Sequence, residues 1–142
     1  MNFQLRKWMS IGIEAHLYFM RDMYNNTMGT ALRPFARFYM ANRANWRLYL
    51  SSGGGLIYCI DPFPAPTFND GRIGTRLNGT TRYDLSTEIR FSPRTFFTAG
   101  ICHLHISNGN TKRVDRNPSH DSNGFIFGIS HMLWPHHQHI TH

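Results

Sequence analysis

No window of this 142-residue chain holds the roughly 18 consecutive apolar residues that a membrane-crossing helix needs, which excludes a helical span. Charged residues make up only 16% of the sequence, and acids are the scarcer sign, with 8 Asp and Glu against 15 Lys and Arg. The resulting charge of +7 favours anionic partners, either nucleic acid or a phosphate-rich lipid surface. Cys59 and Cys102 are too few for a disulfide framework and are read as small apolar residues. The first residues, Met1 to Trp8, carry charge but no apolar core, so no secretory signal is visible. Gly53-Gly54-Gly55 lacks the Lys and Ser/Thr of a phosphate-binding loop, which leaves small residues that ease strand curvature.

What is present is alternation. The length predicts one domain, residues 1–134, followed by a His-rich tail, 135–142. Six segments show a period of two, the signature of β-strands. In the first, Met9, Ile11, Ile13, Ala15, Leu17 and Phe19 alternate with Ser10, Gly12, Glu14 and His16. In the second, Leu32, Ala36, Phe38 and Met40 alternate with Arg33, Phe35, Arg37 and Tyr39, with Pro34 as a local interruption. The third runs from Trp46 to about Ile60, the fourth from about Leu77 to Phe91, the fifth from near Thr95 to Ser107, and the sixth from Asn123 to Trp134.

The fourth segment separates its faces most clearly, with Tyr83, Leu85, Ile89 and Phe91 opposite Arg82, Asp84, Ser86, Glu88 and Arg90. A soluble sandwich would bury the apolar face, whereas a membrane barrel turns it to lipid and fills its lumen with paired charges. Such a barrel keeps an average polarity near that of a soluble protein, which accounts for a mean hydropathy of -0.40 beside an aromatic content of 14%. The connections alternate in length: long over Arg21 to Gly29, Asp61 to Arg76 and Thr111 to His120, short over Asn42 to Asn45 and Ser92 to Arg94. That is the pattern of short periplasmic turns and long outer loops. The expected fold is therefore all-β, an antiparallel up-and-down outer-membrane β-barrel. Six strands fall short of the minimum of about eight for a closed barrel, so the chain is expected to begin late, without a signal peptide and without the first hairpin.

The fifth strand ends in His105-Ile106-Ser107-Asn108-Gly109-Asn110. His105 and Ser107 project from one face, within reach of each other, as a base and a nucleophile require. Asp121 opens the next alternating run, and a hairpin would return it beside His105 as the group that orients the imidazole. His103 shares that face as a neighbour, and His120 is read as a loop residue, with a second orienter of the imidazole as its alternative role.

The His-x-Ser-Asn run, with Asn117-Pro118 and Asp121-Ser122 downstream, resembles the lipid A 3-O-deacylase family (PagL-type, acyloxyacyl hydrolases), and the likeness extends back to the strand and glycines of Trp46 to Tyr58. The resemblance implies an eight-stranded outer-membrane barrel that hydrolyses the 3-O-linked acyl ester of lipid A in lipopolysaccharide. It implies Ser107 as nucleophile, His105 as general base and Asp121 at the acidic position, where the characterised type has the longer Glu. It also implies Asn108, the Gly109 backbone and Asn117 around the oxyanion, and no metal or cofactor.

On this reading the partners are lipid A and outer-membrane lipid and not nucleic acid; whether the protein forms a homodimer is left open. Lys112, Arg113 and Arg116 in the adjoining loop are candidates for lipid A phosphates. His136, His137, His139 and His142 are read as a disordered tail and not a metal site. Arg82, Asp84, Glu88 and Arg90 are expected to pair in the lumen. The rival readings are a non-catalytic structural barrel and a lipid-binding barrel.

Overall fold

Strand alternation sends every second side chain to the same face, and in the computed structural model of this protein that rule holds along the sheet. The structure describes residues 2–21, 23, 26–111 and 113–131. Seven antiparallel strands follow one another as β1 (Asn2–Arg6), β2 (Met9–Arg21), β3 (Asn26–Asn42), β4 (Trp46–Phe63), β5 (Thr75–Ser92), β6 (Thr95–Ser107) and β7 (His120–His131). Each pairs with the next in a single up-and-down sheet whose edges, among the described residues, are β1 and β7. Apart from these strands there is, among the described residues, one 3-10 turn, Val114–Arg116.

Among the described residues the strand count is thus seven and not six. Asn2–Arg6 pairs with β2 through Asn2↔Gly12 and Phe3↔Ile11, so an N-terminal hairpin is present, β1–β2. Five residues are too few to display a period, which is why this strand was invisible in the sequence. The strands also run longer than expected at the loop ends. Arg21 pairs with Asn26, which reduces the first long connection to residues 22–25. Pro34, opposite Ile13, does not interrupt β3. At the C-terminal end, β7 begins at His120, ahead of the expected Asn123, and the segment from residue 132, with Trp134 and the His-rich tail, lies outside the described residues.

The apolar rows face outward. On β5, Tyr83, Leu85, Ile89 and Phe91 are exposed, while Asp84, Ser86 and Glu88 are buried. Charge inside the sheet is matched by contact across it. Glu14 on β2 accepts hydrogen bonds from Arg33 Nε at 3.1 Å and from Arg82 Nη2 at 3.0 Å, and Arg33 has no exposed surface. Asp84 accepts from Arg82 and Ser86, at 3.2 and 2.9 Å. Glu88 receives Arg37 and Arg47 at 3.1 and 3.5 Å. Arg90, expected in an ion pair, instead lies over the Phe96 ring, 5.3 Å from its centre. Buried charges must be paired in this way, because an unpartnered one costs several kcal/mol or more.

Toward the loop end this polar lumen gives way to an apolar cluster of Ala31, Ile57, Cys59, Phe63 and Ile106. Ile106, between His105 and Ser107, points inward and is fully buried, so it anchors the strand whose outer face carries those two residues. The glycine cluster on β4 marks a close backbone approach: a Cβ on Gly55 would stand 2.1 Å from the Leu32 carbonyl oxygen.

Candidate active site

Residues two apart on a strand share a face, and residues opposite each other on an antiparallel pair are neighbours. Both rules act at the loop end of the β6–β7 hairpin. His105 stands directly opposite Asp121, and Ser107 lies two residues further along β6. His105 Nδ1 is 2.8 Å from Asp121 Oδ1, and His105 Nε2 is 3.1 Å from Ser107 Oγ. With the proton on Nδ1, the imidazole donates to the carboxylate and its free Nε2 accepts the serine hydroxyl. The three groups face the outside of the sheet, with side-chain exposures of 36% for His105 and 55% for Asp121. Standing directly across the ladder, the shorter Asp reaches the imidazole.

The loop beyond Ser107 is tied down by its asparagines. Gly109 and Asn110 take φ values of 60° and 62°, a left-handed pair that Gly and Asn adopt most readily. This reverses the chain over the buried Asn108. The Asn108 amide donates to Asn117 Oδ1 at 3.0 Å, and Asn117 Nδ2 donates to Asn110 Oδ1 at 2.7 Å. The Asn108 side chain turns down to the Arg116 carbonyl and to Thr75 Oγ1. Asn108 and Asn117 are therefore brought together as a clasp, with their side-chain amides engaged inside the loop. The Gly109 amide donates to no described residue.

The basic residues of the loop are also engaged. Arg116 donates to the carbonyls of Ile73 and Gly74, both at 2.8 Å, and Arg113 reaches Asp115 at 3.1 Å. Lys112 lies outside the described residues. A further arginine, Arg72, bridges the two long loops by donating to the Asn117 carbonyl at 3.2 Å while clamped to Asp70. The hydrogen bonds from Arg72 hold the Asp70 carboxyl down to about 2. His120 is a strand residue and not a loop residue; its ring meets Phe63 at 5.0 Å between centres, away from His105.

Two features of the site were not legible in the sequence. His103 reaches Asp121 Oδ1 at 3.4 Å and Asn123 Oδ1 at 3.0 Å, so it is more than a neighbour. An outer groove of about 770 Å³ begins at His103 and Asn123 and crosses β5 and β4 past Ile101, Tyr83, Leu85 and Leu50. Among the described residues, no group of three or more His, Cys, Asp or Glu is arranged to hold a metal ion.

An apolar exterior, a lumen of paired charges and long loops at one end define the class: a β-barrel of the outer-membrane type. Comparison with known families gives the particular group. Residues 2–130 match the family described as Lipid A 3-O-deacylase (PagL), and the chain belongs to that family of lipopolysaccharide-directed outer-membrane hydrolases. No curated protein and no solved structure matches the chain.

Proposed function

We propose that this protein is an outer-membrane esterase that releases the 3-O-linked acyl chain of lipid A through Ser107, His105 and Asp121. The observation that carries the reading is the continuous hydrogen-bond chain from Ser107 through His105 to Asp121 on the lipid-facing side. Ser107 Oγ attacks the ester carbonyl carbon as its proton passes to His105 Nε2, and Asp121 stabilises the imidazolium through Nδ1–H. As the tetrahedral intermediate collapses, the C–O bond to the sugar breaks and His105 returns the proton to the departing sugar oxygen. The acyl group is left on Ser107. Water then attacks it with His105 again as base, and release of the fatty acid restores the serine.

The Gly109 amide, two residues beyond Ser107 and without a partner among the described residues, is assigned to the oxyanion, and the Asn108–Asn117 clasp orders the loop that carries it. One such donor contributes about 3 kcal/mol to the transition state. The groove beside His103 supplies an apolar path for the acyl chain, in contact with the surrounding bilayer. A lipid-carrying reading has no support in the lumen, which is filled by arginines and carboxylates.

The test is Ser107→Ala in the refolded protein, with lipid A masses followed after incubation in detergent micelles. Loss of fatty-acid release with unchanged thermal unfolding is expected. Release at the parental rate removes Ser107 from the reaction and the proposal with it.

A further inference from the structure

We infer that His103 is a positioning residue that holds the Asp121 carboxylate in the orientation His105 uses. This rests on the esterase reading above. The outward row of β6 places Ile101, His103, His105 and Ser107 in line, and Asn123 stands opposite His103 on β7. Asp121 therefore has an imidazole directly across and a second one diagonally beside it. Both rings address the same oxygen: His105 Nδ1 lies 2.8 Å from Asp121 Oδ1, and His103 Nε2 lies 3.4 Å from it. On its far side His103 Nδ1 is 3.0 Å from the Asn123 carboxamide.

The chemistry of these contacts is directional. With its proton on Nε2, His103 donates across 3.4 Å to Asp121, and its Nδ1 lone pair then requires the Asn123 carboxamide, whose Oδ1 lies 3.0 Å away, to turn end for end and present its amino group. A carboxylate on an exposed strand end is free to rotate about its terminal torsion, and a single hydrogen bond leaves that torsion soft. A second donor on the same oxygen holds the carboxylate between the two rings, so that the accepting lone pair stays aimed at His105 while the imidazole gains and loses its proton. Catalytic geometry is sensitive at this level, since misplacement by about 1 Å is enough to cost two orders of magnitude.

His103 also borders the groove, and the two roles separate kinetically. A groove wall acts on substrate affinity, whereas a support for Asp121 acts on the proton transfer. In the refolded full chain, assayed with lipid A in mixed micelles, His103→Phe keeps the ring and removes both nitrogens. It is expected to lower kcat about tenfold with KM within about twofold. His103→Gln, whose amide can still donate to Asp121, is expected to recover most of that loss. In an Asp121→Asn background, His103→Phe is expected to cost nothing further, because the two residues act as one unit. His103→Leu provides a second nitrogen-free variant should the Phe form fail to fold.

Parental kcat in both nitrogen-free variants, a change confined to KM, or the same tenfold loss in the Asp121→Asn background would each overturn the inference. If Ser107→Ala is inactive while His103→Phe is fully active, only the role of His103 falls. If Ser107→Ala is active, the esterase reading itself falls.

Discussion

Replacing Asp121 by Asn removes one charge and changes almost nothing else in shape. The carboxylate accepts from His105 Nδ1 at 2.8 Å, and in the proposed mechanism its work is to keep the proton on that nitrogen and to stabilise the imidazolium that forms. The size of the effect follows from where the group sits. A pair of unit charges at about 4 Å is worth ~1 kcal/mol in bulk water and ~4 kcal/mol near a protein surface. The Asp121 side chain is 55% exposed, so screening by solvent places the interaction in the lower part of that interval, about 1–3 kcal/mol. The expected loss in kcat is therefore about five- to 150-fold, smaller than the roughly 10⁴ that follows from the same change in a buried triad. Initial rates of fatty-acid release from lipid A micelles, together with thermal unfolding in the same detergent, provide the measurement. An Asn variant that folds and keeps kcat within about twofold of the parent would refute the reasoning, since His105 would then be held by something other than this carboxylate.

Three further outcomes test the scaffold. Glu88 is the sole carboxylate contacting Arg37 and Arg47 among the described residues, so Glu88→Gln is expected to destabilise the barrel by about 3 kcal/mol in urea unfolding; a change below about 0.5 kcal/mol would mean the arginines need no counter-charge. Gly55→Ala sets a Cβ 2.1 Å from the Leu32 carbonyl, and the forced separation of β3 and β4 is expected to cost about 2 kcal/mol or more on the same scale. Asn117→Ala leaves the buried Asn108 amide without its acceptor, so hydrogen exchange at Asn108 is expected to accelerate about tenfold and kcat to fall with it. Unchanged exchange would assign the closure of the loop to other contacts.

The inside and outside of the barrel were readable before any coordinates because period-two alternation survives in every long strand. Arg82, Asp84 and Glu88 could be placed in the lumen from parity alone. The same parity put His105 and Ser107 on one face, and the apolar run after the polar loop brought Asp121 to the partner strand. What parity cannot supply is register. A slip of one residue turns a strand over, and only the pairing of Ile106 with His120 sets Asp121 squarely opposite His105. For the same reason His120 was misread as a loop residue, and the diagonal contact from His103 to Asp121 was not visible. The clasp of Asn108 and Asn117 depends on two consecutive left-handed residues, a backbone choice made within the loop. Asn2–Arg6 escaped notice because five residues hold too little pattern to separate a strand from a polar leader.

Ser107, His105 and Asp121, the proposed nucleophile, base and acid, all stand on one two-stranded ribbon. Their separations are set by a single ladder and by the inward anchor between them, and not by the strands beyond that ribbon. The reactive trio is thus a portable cassette, able to keep its spacing on a wider or narrower cylinder as long as that ribbon and its cap remain intact.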